Sequence, residues 1–103
     1  MSVEISHSNE IISRDYVLGE VRQLVAEFSN VAPDAIQESQ TLLGDLAFDS
    51  LDIVEFTMEI EEHFDISIPD ELTEHAKTVG NVVDGVLMLL NHGKLESTAL
   101  DHR

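Results

Sequence analysis

Ser50, Asp52 and His63 are the side-chain types from which a hydrolase assembles a nucleophile, an orienting acid and a base. Their spacing argues against that use. On one helix, Ser50 and His63 stand about 19 Å apart at 1.5 Å per residue, and no oxyanion loop is recognisable near them. A second set, Glu55, Glu59, Glu62 and His63, has the types of a metal site. No calcium loop with its central glycine accompanies it. These carboxylates repel one another at i, i+3 and i+4, and they read as a solvated acidic face with no specific metal site. Gly80 and Gly85 lack the Lys-Ser/Thr that a phosphate loop requires. The chain has no cysteine, which removes disulfides, thiolate ligands and a thiol nucleophile. What remains is Ser50 at the start of a helix, where unpaired amides and the helix dipole favour an anion. A phosphodiester on that hydroxyl would sit well there.

The elements that must position Ser50 follow from apolar spacing. Val17, Leu18, Val21, Leu24, Val25 and Phe28 share one helical face, which predicts a first helix over 15–28. Residues 29–49 follow neither period. Pro33-Asp34 and Gly44-Asp45 signal turns, and Ile36, Leu42, Leu43, Leu46 and Phe48 should anchor this long loop to the core. Asp49 is a good N-cap for a second helix running to about Phe64. Pro69 suits the first position of a short helical turn over 70–75. Thr78 caps a last helix that ends at Asn91-His92-Gly93, with Gly93 in the left-handed position after it. No segment alternates with period two. The predicted fold is all-α: a small antiparallel bundle of three main helices and one short one, with a long loop between the first two. The domain is expected over 15–92, with flexible tails at 1–14 and 93–103.

The second helix has two apolar stripes. At about 100° per residue from Ser50, Ile53, Phe56, Thr57, Ile60 and Phe64 fall at roughly 240–340° and read as the core face. Leu51, Val54 and Met58 fall at roughly 40–100°, bordered by Glu55, Glu61 and Glu62. A helix in a small bundle buries one broad face. The second stripe is therefore expected in solvent, apolar at its centre and charged at its rim, as docking surfaces often are.

Charge supports that reading. The chain carries 21 acidic residues against 5 Lys and Arg, a formal net charge of −16. Between Arg22 and Lys77 there are 14 Asp or Glu and no Lys or Arg. Such a surface repels nucleic acid and anionic membranes, and it steers basic proteins toward itself. No secretory signal is visible at the N-terminus, and no apolar run approaches the length of a membrane span. A cytoplasmic monomer is expected, with no nucleic acid partner and no membrane insertion.

The run Gly44-Asp45-Leu46-Ala47-Phe48-Asp49-Ser50-Leu51-Asp52 resembles the phosphopantetheine attachment motif of acyl carrier proteins, with Asp-Ser-Leu at its core. The match continues through Val54-Glu55 and from Glu61-Glu62-His63-Phe64 to Pro69-Asp70-Glu71. The resemblance implies a non-catalytic carrier. Its Ser50 receives a 4′-phosphopantetheine arm from coenzyme A through a phosphopantetheinyl transferase that reads Asp49 and the acidic helix. It further implies that Leu51, Asp52, Val54, Glu55, Met58, Glu61 and Glu62 face acyl-transferring, chain-elongating or chain-modifying enzymes with basic patches. Phe56, Ile60 and Val83 would line an acyl pocket. Ala47 stands where the family usually has glycine, so the loop is expected to turn differently there. Phe48 is similar to modular polyketide carriers, whereas the acidic continuation looks like the dissociated fatty acid type. Fatty acid and specialised lipid or polyketide pathways both stay open. So do an aminoacyl or peptidyl carrier using the same arm and an unmodified acidic adaptor.

Overall fold

The computed structural model describes the backbone of residues 12–100 and the side chains through residue 91. The elements are α1 (Arg14–Ser29), a 3-10 turn (Pro33–Ala35), α2 (Ser50–Phe64), α3 (Asp70–His75) and α4 (Val79–Leu100). The bundle is all-helical among the described residues, apart from one isolated bridge pairing Thr41 with Thr78. No helix there is long and apolar enough to cross a membrane.

Helix α1 starts one residue before the sequence pattern suggests. The Tyr16 amide donates to the Ser13 hydroxyl at 3.3 Å, and Asn30 closes the helix in the left-handed conformation. Val17, Val21, Leu24 and Val25 are buried, with Leu18 and Phe28 packed against them. Ile12 belongs to the fold as well. Its amide donates to Asn91 Oδ1 at 2.8 Å and its carbonyl accepts from Asn91 Nδ2 at 3.3 Å. The ordered unit thus reaches back into the stretch expected to be tail, of which residues 1–11 lie outside the described part.

The long loop lies on the core, as its apolar content requires. Ile36, Leu42, Leu46 and Phe48 are buried. Leu43 departs from the expectation and stands 61% exposed. The loop is also fastened to the start of α4. Leu42 N–H donates to the Lys77 carbonyl, Val79 N–H to the Gln40 carbonyl and Gly80 N–H to the Glu38 carbonyl, all at 2.9–3.0 Å. Arg14 reinforces this join with a fork to Glu38 at 2.7 and 3.0 Å and a bond to Asp84 at 3.0 Å. Those hydrogen bonds, with Glu38 first, hold the Arg14 proton more tightly than usual. In turn, the bond from Arg14 keeps the Glu38 carboxyl below its ordinary range.

Pro69 sits at the N-cap of α3, one position before the first helical residue. Thr78 caps α4 as predicted: the Asn81 amide donates to its hydroxyl at 3.1 Å, and its own amide donates to Asn81 Oδ1 at 3.1 Å. The far end of α4 corrects the sequence reading. The helix passes through His92-Gly93 and continues to Leu100. A glycine inside a helix costs only about 1 kcal/mol, and Lys94-Leu95-Glu96 after it are strong helix formers.

Candidate functional site

Helix α2 begins with a reciprocal cap. The Asp52 amide donates to Asp49 Oδ1 at 2.8 Å, and the Asp49 amide donates to Asp52 Oδ2 at 3.0 Å. Asp49 therefore does the capping, which leaves Ser50 at the first helical position with its side chain exposed. The amides of a helix's first turn lack partners within the helix. A phosphodiester on Ser50 would thus meet unpaired donors and the positive end of the dipole. An accessible primary hydroxyl in that setting fits a covalently attached phosphate ester.

The turn into the motif is held by Thr41 and Asp45. The Thr41 amide donates to Asp45 Oδ2 at 3.0 Å, and the Asp45 amide donates to Thr41 Oγ1 at 2.9 Å. Leu46 and Phe48 amides then donate to the Thr41 and Leu42 carbonyls. Ala47, between them, has φ 59°. The chain here makes the left-handed turn that glycine takes freely, with a Cβ that opposes it. The left-handed region costs an L-residue about 1–2 kcal/mol, and glycine returns about 0.4–1 kcal/mol of that through the unfolded chain. Ala47→Gly should therefore stabilise the protein by about 0.5–1 kcal/mol and raise the melting temperature by about 3–6 °C. Thermal melting followed by circular dichroism checks this, and a lower midpoint would show that the turn is unstrained.

The two stripes of α2 separate as the spacing predicts. Phe56 and Ile60 are buried, with Ile53 and Phe64 packed beside them. Leu51, Val54 and Met58 are 63%, 54% and 54% exposed. Glu55, Glu59 and Glu62 are exposed around that stripe. Two carboxylates expected on the rim are instead tied into the fold. Asp52 completes the cap, and Glu61 Oε2 accepts the Ile68 amide at 2.8 Å, closing the chain after α2. His63 lies at the other end of the helix, 2.7 Å from Glu20 on α1. Ser50 and His63 are not brought together, and among the described residues no three His, Asp or Glu are placed to hold a metal ion.

A cleft with about 50 Å³ of free volume opens between α2, α3 and α4. Its walls include Phe56 and Ile60. Val83 is not among them: it is wholly buried in the core, and its neighbours Val82 and Val86 face the cleft. Gly85 and Leu72 also line it: nothing in the sequence assigns Gly85 to a pocket or singles out Leu72. Leu72 lies on the short α3, where one turn gives no usable pattern. The signal for Val82 was present in the i, i+4, i+7 series Val82, Val86, Leu89, but the parallel series through Val79 and Val83 masked it. Ile53 lines both this cleft and a wider groove between residues 41–44 and 73–77, so the two meet about one turn from Ser50.

The family described as the phosphopantetheine attachment site matches residues 19–86. The acyl carrier protein of Sulfurovum sp. (strain NBC37-1) is 45% identical over 64 residues, which are 62% of this chain and 85% of that one. The acyl carrier protein of Phenylobacterium zucineum (strain HLK1) is 46% identical over 67 residues, 65% of this chain and 85% of the relative. Among solved structures, the acyl carrier protein from Enterococcus faecalis superposes with a TM-score of 0.66 at 29% identity, covering 76% of this chain and 99% of the other. With a capped, accessible serine at the head of α2 and this agreement in sequence and fold, the chain belongs to the acyl carrier protein family, non-catalytic carriers that bear covalent 4′-phosphopantetheine.

Proposed function

We propose that Ser50 carries the arm and that the protein delivers acyl thioesters to enzymes of fatty acid or specialised lipid and polyketide biosynthesis. The observation that carries this reading is the exposed Ser50 hydroxyl at the head of α2, with its helix already capped by Asp49. In the loading step the Ser50 oxygen forms a bond to the phosphorus that bears the pantetheine. The bond from that phosphorus to the adenosine bisphosphate of coenzyme A breaks, and the hydroxyl proton passes to a base of the transferase. The arm then supplies the only thiol in a chain without cysteine, and acyl groups are held on it as thioesters. The setting proposed is the cytoplasm. The test is an intact mass after incubation with coenzyme A, magnesium and a broad-specificity phosphopantetheinyl transferase. A gain of one arm, located by peptide mapping on Ser50, supports the reading. No gain with a folded substrate and an active enzyme sinks it.

The docking stripe gives a second expected result. Leu51, Val54 and Met58 present apolar surface that the fold leaves in water, flanked by Glu55 and Glu62. This is the surface proposed to meet the transferase and the acyl-processing enzymes. Carboxylates on such a rim act mainly on encounter rate and orientation. Replacing Val54 and Met58 together by glutamine should leave stability within about 0.5 kcal/mol, as at most exposed sites. Losing two contacts worth about 1 kcal/mol each should lower kcat/KM for loading about ten- to thirty-fold. An unchanged loading rate would place the docking surface elsewhere.

A further inference from the structure

Sulfur in the unloaded chain is confined to thioethers. There is no cysteine, and the methionines are Met1, Met58 and Met88, of which Met1 lies outside the described residues. Methionine is ordinarily among the more buried residue types, yet Met58 and Met88 stand 54% and 49% exposed. An exposed thioether is open to hydroperoxides, and its sulfoxide is polar where the parent side chain is apolar. The two are accessible to the same degree, but their settings differ.

Met58 lies in the middle of the second stripe of α2. Val54, Glu55 and Glu62, at i−4, i−3 and i+4, are its neighbours on the helix surface. A sulfoxide oxygen accepts hydrogen bonds and donates none. The flanking carboxylates also only accept, and the side chains of Leu51 and Val54 offer no donor. An oxygen added at Met58 therefore finds no side-chain partner in the stripe, and covering it leaves a buried acceptor unsatisfied, which is costly. Met88 instead shares a face of α4 with Asp84 and Asn91, which bind Arg14 and Ile12 at the start of α1. It is no part of the stripe on α2.

We propose that Met58 is a reversible oxidation site: its sulfoxide weakens the hold of partner enzymes on α2 while the fold stays intact. This rests on the reading of the stripe as the docking surface. The oxidant is a hydroperoxide. A sulfur lone pair forms the S–O bond as the peroxide O–O bond breaks, so sulfur is oxidised and the peroxide reduced. With hydrogen peroxide, the proton of the transferred hydroxyl passes to the departing hydroxide, which leaves as water. Two thiols of a methionine sulfoxide reductase reverse the step, releasing the oxygen as water and forming a disulfide.

The test treats the unloaded protein with hydrogen peroxide, removes the excess with catalase and locates the added oxygen by peptide mapping. Loading by a phosphopantetheinyl transferase is then compared with the untreated sample of the same protein. Oxidation at Met58 should lower kcat/KM about five- to thirtyfold, through KM and not kcat. Reductases for both sulfoxide epimers should restore it. Met88→Leu should lose as much as the parent, whereas Met58→Leu should load equally before and after peroxide. Far-UV circular dichroism should not change on oxidation. The proposal is overturned if the parent, with Met58 converted, loads at its untreated rate. Loss of helix on oxidation, or an equal loss of loading in Met58→Leu, overturns it as well. The double variant Val54→Gln, Met58→Gln separates the two readings. Slow loading of that variant beside normal loading of the oxidised parent removes only this proposal. Normal loading of both removes the docking surface with it, and an untreated parent that does not load removes the Ser50 reading and this proposal together.

Discussion

Ser50→Ala will gain no phosphopantetheine under conditions that load the parent fully, and it will melt within about 4 °C of the parent. The two halves of this result come from the same geometry. Asp49 supplies the cap, with its carboxylate on the Asp52 amide and its amide on the Asp52 carboxylate, so removing the serine hydroxyl leaves α2 closed at its start. The side chain is exposed, so no core contact is lost, and alanine is the stronger helix former at the first helical position. A serine acting as the cap would behave otherwise, because replacing a capping side chain by alanine costs about 0.5–2 kcal/mol. Intact mass and a thermal melt on the same preparation separate the roles. Loading of the alanine variant would move the attachment to another hydroxyl, and a large drop in melting temperature would make Ser50 a structural residue.

The parts of this molecule legible in the sequence are those fixed by neighbours within about one helical turn. Asp49 and Thr78 as caps and the two stripes of α2 each depend on neighbours a few positions away, so spacing reveals them. The return bonds from Asp52 and Asn81 are not foreseen in it, and Asp52 reads there as a rim carboxylate. The larger errors fall where a distant partner decides. Glu61 looks like one more surface carboxylate until Ile68, seven residues on, turns its amide toward it. Arg14 reads as part of a polar tail, and only the folded chain brings Glu38 and Asp84 to it. On α4, Val82 and Val83 are both buried. Burial accounts for both residue types equally well, and only the position of α3 decides which of them faces the cleft. Helix continuation through Gly93 was misjudged for a different reason: a left-handed end and a tolerated interior glycine look alike in one sequence.

The clasp around Arg14 also bears on how the site is held. The loop that delivers Asp49 and Ser50 runs from α1 to α2 with only a 3-10 turn of its own. Its middle is fixed by backbone bonds to residues 77–80, and its start by the Arg22 guanidinium on the Ile36 carbonyl at 3.0 Å. Its end is fixed by Phe48, packed edge-on against Phe56 from α2. The segment before the serine is therefore anchored along its length, and past the helix cap Asn30 the one residue in it with a positive φ is Ala47. Strain at that point persists because the flanking anchors over-determine the turn.

Phe56 is the anchor whose loss will be felt most. Phe56→Ala should cost about 3–5 kcal/mol, against a total stability of roughly 4–12 kcal/mol for a unit of about 80 residues. The ring is 3% exposed and makes two edge-on contacts, each worth about 0.5–1.5 kcal/mol beyond the area it buries. The hole would open beside the existing cleft, where neighbouring side chains are already short of partners, so collapse around it would recover little. Urea unfolding at neutral pH reads the effect directly. At a slope of about 1 kcal/mol per molar, the midpoint should fall by about 3 M or the variant should be unfolded in buffer. Phe56→Leu, which keeps most of the volume, should lose about 1–1.5 kcal/mol. Met58→Ala is the matched control, because it lies two residues away on the exposed stripe and should move stability by no more than about 0.5 kcal/mol. Equal losses from Phe56→Ala and Met58→Ala would mean that α2 is rotated from the orientation described. The surface assigned to partners would then be part of the core.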